Sequence, residues 1–251
     1  MTFFRRWPKP LLLGVALALL LGGVWAGRTL VLSYAAARSD SNAYIARWFL
    51  DSGARASLHN ARAQRCLTPL AQPAPFMLPS DGLIGLLWDD PAAPYTVFNP
   101  HTGIDIFGDG APGTVPVYAA YGGYLTRLND WLSSVIIRHD DPLQAGRTIW
   151  TYYTHMAARD GSHSFVAAAF PPGTANVWVD QGTLLGYQGE YAGAGAPIGM
   201  HVHFSIVRSD ENGAFTNEAR LANTLDPSPY FAMPLTTLTA RSRPIACLPP
   251  P

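Results

Sequence analysis

Charged side chains are scarce in this chain of 251 residues, because Asp, Glu, Lys and Arg together make up only 14% of it. The 17 basic and 17 acidic residues balance to zero, and no run rich in Lys or Arg follows the first ten residues. A protein that binds nucleic acid normally carries a basic patch, so we expect no nucleic-acid partner. The 48% of hydrophobic residues also excludes a disordered chain, since it supplies ample material for a core.

Cysteine is scarce as well, since the sequence contains only Cys66 and Cys247. Neither has a second cysteine nearby, which argues against a metal site built from thiolates. In an oxidising compartment the two thiols could form an intrachain disulfide. It would close a loop of about 180 residues, which the chain-entropy model values at about 5 kcal/mol. Two unpaired thiols are the alternative.

The N-terminal segment has the features of an export signal. Arg5, Arg6 and Lys9 precede an unbroken apolar run from Leu11 to Ala26. This run is slightly longer than the apolar part of a cleaved signal and shorter than the roughly 20 residues that span a bilayer. Because apolar residues resume at Leu30, we favour an uncleaved inner-membrane anchor over a cleaved signal peptide. In both cases the rest of the chain is delivered outside the cytoplasm.

The remaining sequence divides into three parts after the predicted membrane helix of residues 1–34. Residues 35–94 contain a helical stretch and then a Pro-rich connection. Residues 95–231 are short β-rich runs separated by Gly, Asp and Asn, and residues 232–251 form a Pro-ended tail. The runs are "YTVF", "GIDIF", "VPVYAAYGGYLTRL", "SSVIIRH", "RTIWTYYTHM", "NVWV", "TLLGYQG" and "HVHFSIV". We therefore predict a mainly β fold, an antiparallel β-sheet or sandwich, with a short helical membrane-proximal segment before it.

The run "GMHVHFSIV" from Gly199 contains two histidines one residue apart. Side chains alternate between the faces of a strand, so one face would carry His201, His203 and Ser205 and the other the apolar residues between them. Two imidazoles on one face could share a metal ion. An isolated His-x-His, however, also fits two solvated histidines on a half-exposed strand.

Further polar residues occur in two other β-rich runs, with His101 and Asp105 in "NPHTGIDIF" and His155 in "WTYYTHM". On a straight strand His101 and Asp105 would lie roughly 13 Å apart, too far for one ion. A shared ion requires a bend, which Gly103 could supply. The alternative is a turn in which Asp105 bonds to the backbone and His101 is exposed.

Three motifs in this order make the sequence resemble the lysostaphin-type zinc metallopeptidases, also called M23 or LytM-like peptidases. They are "HTGID", "YTHM" and "GMHVHF", against the family pattern His-x-Gly-x-Asp, Tyr-x-His-Leu and Gly-x-His-x-His-Phe. "VDQGTLLGYQG" and "DPSPY" also resemble family features. The resemblance covers roughly residues 97–231, which would form the peptidase domain.

The resemblance implies one zinc ion per chain, bound by His101, Asp105 and His203. It places His155 and His201 beside the zinc-bound water, where we expect His201 to act as general base and His155 to stabilise the oxyanion. It also implies a zinc endopeptidase in the cell envelope that hydrolyses peptide bonds of peptidoglycan.

Departures from the family pattern concern the surroundings of the motifs. Ser205 stands where many relatives carry Glu, and the segments after His155 and before Gly199 look longer than usual. We expect His139 and His163 to be surface or hydrogen-bonded structural residues.

Two other functions remain open. One is a non-catalytic LytM-like module that binds the cell wall or activates a partner hydrolase. The other is an iron oxygenase with two histidines and one carboxylate, although it would leave His155 and His201 without a role.

Overall fold

The computed structural model describes residues 9–193 and 198–249, and within the first helix it omits the side chains of residues 9–13, 15–16 and 31–39. The basic residues Arg5 and Arg6 of the predicted export signal and part of the glycine-rich segment before Met200 thus lie outside the described residues.

The N-terminal part of the described chain is helical. Helix α1 runs from Lys9 to Leu50, a 3-10 turn covers Ser52–Ala54, and α2 covers Arg55–Leu58. The side chain of Asp51 accepts a hydrogen bond from the backbone of Ala54, which caps the 3-10 turn. The predicted helical character of the segment near residue 40 is therefore confirmed.

Within the ranges that the structure describes, no helix combines the length and the apolar character needed to cross a membrane. The membrane helix predicted for residues 1–34 is therefore not supported.

Ten strands follow within the described residues. They are β1 (Leu83–Ile84), β2 (Ile104–Phe107), β3 (Pro116–Tyr118), β4 (Gly123–Thr126), β5 (Val135–Asp140), β6 (Thr148–Thr154), β7 (Val177–Val179), β8 (Leu184–Tyr187), β9 (Val202–Arg208) and β10 (Thr224–Leu225). All pairings between these strands are antiparallel. Eight of them form one sheet in the order β1-β2-β9-β6-β5-β4-β7, with β10 also beside β9, and β3 pairs with β8 separately. The prediction of a mainly β, antiparallel fold is confirmed. A short helix, α3 (Ser228–Phe231), ends this region.

One predicted strand is wrong. Residues 95–98, "YTVF", belong to a tight turn in which the backbones of Thr96 and Asn99 hydrogen-bond to each other. Pro94 and Pro100 flank the run, and proline cannot donate to a strand ladder. The β-forming side chains of this run therefore do not suffice to make a strand.

Strand β9 is buried on both of its faces. Val202, Phe204 and Ile206 lie in the core, as the alternation predicts, and each is at most 1% exposed. The opposite face is also covered, since His203 is 5% exposed and Ser205 is 0% exposed. The interpretation of this run as a half-exposed strand with solvated histidines is therefore wrong.

The hydrophobic core draws on residues from both sides of the range 95–231. Phe76 packs against Tyr121, Tyr230 and Phe231, and Leu235 and Ile245 from the C-terminal part are fully or almost fully buried in the same core. Cys66 and Cys247, the pair expected to join, form a disulfide with a Cα–Cα distance of 5.3 Å. The C-terminal tail is thereby fixed to the segment that follows α2.

The end of α1 packs against the sheet next to β2. Trp48 is 1% exposed and shares a small apolar cluster with Leu58, Leu83 and Phe107. Phe49 meets the ring of Phe107 edge-on, at 5.7 Å between centroids. Helix α1 thus contacts the strand that carries one of the candidate metal ligands.

Candidate metal centre

The structure brings His101, Asp105 and His203 together, although they lie up to 102 positions apart in the chain. The Nε2 of His101 lies 2.9 Å from the Nδ1 of His203, and the Oδ1 of Asp105 lies 3.0 Å and 2.9 Å from these two nitrogens. All three side chains are buried, and one donor atom of each lies within 4.8 Å of the others. Three donors thus converge on one point.

The sheet fixes two of these donors directly. Asp105 on β2 and His203 on β9 are register partners across the antiparallel pair. His101 precedes β2, and the chain bends at Gly103 between them, as the spacing requires. A Cβ at position 103 would lie 2.1 Å from the carbonyl oxygen of Phe204. Glycine is therefore needed for the close approach of β9 as well as for the bend.

Hydrogen bonds on the far side of each imidazole set its orientation. The Nδ1 of His101 donates to the carbonyl oxygen of Leu87 at 2.9 Å, so that its Nε2 is available to a metal ion. The Nε2 of His203 lies 2.7 Å from the hydroxyl of Ser205 and 3.5 Å from the carboxylate of Glu218. The Nδ1 of His203 therefore faces His101 and Asp105, the other two candidate metal ligands.

His155 and His201 lie next to this group, with their ring centroids 4.6 Å apart. The Nδ1 of His155 donates to the carbonyl oxygen of Tyr191, and the Nδ1 of His201 donates to that of Gly199, both at 2.7 Å. His155 has a φ of 74°, a left-handed conformation that turns it out of the end of β6. In each neutral ring the Nε2 then carries the free lone pair and can accept a proton.

Burial favours the neutral form of both of these imidazoles. Burial lowers the pKa of His155 to about 3, and the charges of His201 and His203 contribute in the same direction. Burial also lowers the pKa of His201, although Asp105 partly opposes it. At neutral pH the two residues are therefore proton acceptors.

Unlike His155 and His201, the candidate ligands Asp105 and His203 are held in their charged forms. Burial raises the pKa of Asp105, but the imidazoles of His101 and His201 outweigh it and hold this pKa well below the usual range. Burial lowers the pKa of His203, but hydrogen bonds to Asp105 and Glu218 raise it to about 10. A cation that binds here must therefore displace a proton from His203.

A cavity of about 380 Å³ gives access to the centre, and His155 and His203 both line it. Tyr95, Tyr152, Tyr191 and Glu218 are among the other residues that line it. All lining residues lie at or after position 95, so none of the described residues of the N-terminal region blocks this cavity.

The donor set fits a zinc ion. Zinc is commonly bound by imidazole nitrogens and carboxylate oxygens, and three protein ligands leave the fourth position of a catalytic site open. Two histidines and one carboxylate would also suit iron(II). His155 and His201, the two neutral bases beside the candidate ligands, favour a catalytic over a purely structural zinc site, because a structural site needs no base.

His139 and His163 have the structural roles that the sequence predicts. His139 is 2% exposed and its nitrogens lie 2.8 Å from the carbonyl oxygen of Gly122 and 2.8 Å from the hydroxyl of Thr151. His163 is exposed and contacts Ser162. Neither belongs to the metal centre.

Two neighbours of the candidate ligands were not predicted from the sequence. Tyr95 lies over His101 at 4.8 Å between ring centroids, and Glu218 contacts His203 from the loop after β9. The replacement of Glu by Ser205 was the one signal that another carboxylate could be needed near His203.

No family model and no curated protein matches the chain. Solved structures similar to it include the antimicrobial peptidase lysostaphin from Staphylococcus simulans, at 20% identity over 55% of this chain and 45% of that chain, with a TM-score of 0.36. The chain thus spans less than half of the lysostaphin chain. A variant of the catalytic domain of the prophage-encoded M23 protein EnpA from Enterococcus faecalis is 25% identical over 47% of this chain and 76% of that chain, with a TM-score of 0.30. A zinc containing peptidase from Vibrio cholerae is 18% identical over 51% of this chain and 32% of that chain, also with a TM-score of 0.30.

Proposed function

We propose that this chain is a zinc endopeptidase of the lysostaphin type that hydrolyses peptide bonds of peptidoglycan outside the cytoplasm. The observation that carries the proposal is the convergence of His101, Asp105 and His203 with His155 and His201 beside them, next to a cavity that His155 and His203 line. The choice of peptidoglycan depends on the motif resemblance and on the predicted export signal.

The three ligands would hold one zinc ion, which supplies a Lewis acid that polarises the peptide carbonyl and lowers the pKa of a bound water to about 7. His201 is assigned as the general base, because its Nε2 lies 3.5 Å from the ligand Asp105 and its neutral form accepts a proton. In this proposal His201 takes the proton of the attacking water.

We assign His155 to the substrate side, because it is half-buried and lines the cavity, whereas His201 is buried and does not line it. Its Nε2 becomes a donor only after it takes up a proton, since the Nδ1 hydrogen is held by Tyr191. The protonated ring can then hydrogen-bond to the developing oxyanion and donate to the leaving amine. The proton taken from water thus reaches the amine through these imidazoles.

The domain organisation and location form part of the proposal. The disulfide suits a protein that is exported to an oxidising compartment. We assign residues 1–34 to the signal or anchor, 35–94 to the membrane-proximal region and 95–231 to the peptidase domain, with 232–251 as the tail. Fractionation of cells, with protease added to spheroplasts, would test this location.

Digestion of purified peptidoglycan and of crosslinked stem peptides, read by mass spectrometry, tests the activity. We expect cleavage by the full chain, loss of cleavage with a chelator and recovery with added zinc. His203→Ala should abolish cleavage, whereas a non-catalytic module that activates a partner would keep its effect. Iron rather than zinc in the isolated protein, or no cleavage by the zinc-loaded chain, would refute the proposal.

A further inference from the structure

Glu218 reaches the metal centre from the loop of residues 209–220, which follows β9. Its Oε2 lies 3.5 Å from the Nε2 of His203 and accepts a hydrogen bond from the hydroxyl of Thr102 at 3.2 Å. The side chain is 23% exposed, at the wall of the cavity. A partly buried carboxylate is thus held next to a ligand without being one of the three donors.

The loop that carries Glu218 is anchored on the same face of the sheet as His203. The ring of Phe215 packs against Trp150 and Tyr152 of β6, at 6.0 Å between centroids in both cases. Trp150 also donates from its indole nitrogen to the carbonyl oxygen of Gly213 at 3.1 Å. Glu218 therefore projects from a fixed loop.

Metal binding by His203 requires a hydrogen-bond acceptor next to its Nε2. When the Nδ1 donates its lone pair to a cation, the single ring N–H hydrogen of the neutral imidazole must reside on the Nε2. The two acceptors within reach are the neutral hydroxyl of Ser205, at 2.7 Å, and the carboxylate of Glu218. A carboxylate that accepts this hydrogen fixes the tautomer and makes the ligating nitrogen more basic.

We propose that Glu218 is a positioning residue for the metal ligand His203, and that it strengthens zinc binding through the Nε2 of that imidazole. The inference rests on the proposed zinc site and goes beyond it by assigning a role to a residue that none of the three motifs contains. Glu218 supplies charge from a loop, whereas Ser205 supplies a neutral contact from β9 itself.

A purely structural role for Glu218 would work through Thr102, because that hydrogen bond connects the loop to the segment just after His101. Two substitutions separate these roles. Glu218→Gln removes the charge but keeps an oxygen that can accept from Thr102, and Thr102→Val removes that contact but keeps the carboxylate. Glu211→Gln, an exposed position in the same loop, is the matched control for the loss of one negative charge.

The test is a zinc titration of the full chain in competition with a chromogenic chelator, which reports a dissociation constant and needs no substrate. We expect Glu218→Gln to raise the zinc Kd about 10- to 100-fold, and Thr102→Val and Glu211→Gln to change it by less than about threefold. Thermal unfolding of each chelated protein verifies that the variants fold.

Three results would overturn the inference. A Glu218→Gln variant that binds zinc as tightly as the wild type would remove the role of the charge. An equal loss in Thr102→Val would show that Glu218 only tethers the loop. A wild-type chain that binds no zinc would overturn the metal centre as well, whereas a failure to cleave peptides would leave the measured Kd values and the role of Glu218 intact.

Discussion

Asp105 and His203 are direct partners across two antiparallel strands, and the Oδ1 of the first lies 2.9 Å from the Nδ1 of the second. Both donors are therefore placed by the hydrogen-bond ladder between β2 and β9, in the interior of the large sheet. Regular backbone pairing holds side chains more precisely than a loop does. The geometry of the candidate metal centre thus depends on the register of one strand pair.

The first prediction distinguishes the proposed bases, His155 and His201, from the three proposed metal ligands. We expect His155→Ala and His201→Ala each to lower the rate of peptide cleavage by about 10²- to 10⁴-fold, since each removes a proton-transfer group. Metal analysis should still find about one zinc ion per chain, because neither residue belongs to the three-donor group. His163→Ala is the control, as this histidine is exposed and is not among the residues that line the cavity. Wild-type rates in both variants would contradict the assignment.

The second prediction concerns Gly103. In Gly103→Ala the new methyl group would meet the carbonyl oxygen of Phe204 at 2.1 Å and the hydroxyl of Ser205 at 2.7 Å. Because the first of these atoms belongs to the backbone of β9, the strands must separate, at a cost of about 1–3 kcal/mol or more. Denaturant unfolding should show this loss together with weaker zinc binding. Gly122→Ala is the matched control, because this glycine is not among those with a positive φ and the added methyl group would meet its nearest atoms at 3.5 Å, an ordinary contact distance.

The third prediction is a pH dependence of stability that arises from His139. Burial lowers its pKa to about 4 in the folded protein, whereas the unfolded chain has a value of about 6.5. Between these values the unfolded state binds the proton, so stability falls as the pH drops from about 6.5 to about 4, by about 3 kcal/mol in total.

The His139→Gln variant should show a shallower fall over the same range, because its amide can bond to Gly122 and Thr151 without titrating. Unfolding free energies measured by urea titration at several pH values test this. The same slope in both proteins would assign the pH dependence to other groups.

The fourth prediction concerns the disulfide. We expect the Cys66→Ser/Cys247→Ser double variant to lose about 2–5 kcal/mol of unfolding free energy, because the bond closes a long loop in the unfolded chain. The tail keeps other contacts, since Asn60 hydrogen-bonds to both backbone groups of Ile245. The variant should therefore fold and retain zinc. Unchanged stability would mean that these contacts alone fix the tail.

Much of the sheet was predictable from the sequence, because apolar alternation and turn residues are local signals. The alternation in β9 predicts which side chains enter the core and that His201 and His203 share a face. It does not predict that this face is covered, since burial there depends on loops from distant parts of the chain. The failure of "YTVF" has a similar cause, because the flanking prolines outweigh the β propensity of its side chains.

The candidate site was predictable only where a motif marked it. His101 and Asp105 could be grouped with His203 through the resemblance, but the donor atom of each imidazole depends on contacts with Leu87 and Ser205. Glu218 could not be found, because it lies 15 positions after His203 in a loop without regular spacing. Its approach to the centre depends on tertiary packing by Phe215.

The packing of α1 has a practical consequence for recombinant work. Phe49 touches Phe107, whose ring lies 4.8 Å from that of the proposed base His201, and Ser41 hydrogen-bonds to the buried Asp90 at 2.6 Å. A truncated protein that starts at residue 95 would lack the ring contact of Phe49 with Phe107, strand β1 of the sheet, and Cys66 of the disulfide. Shortened proteins intended for assays or crystals should therefore begin ahead of Ser41.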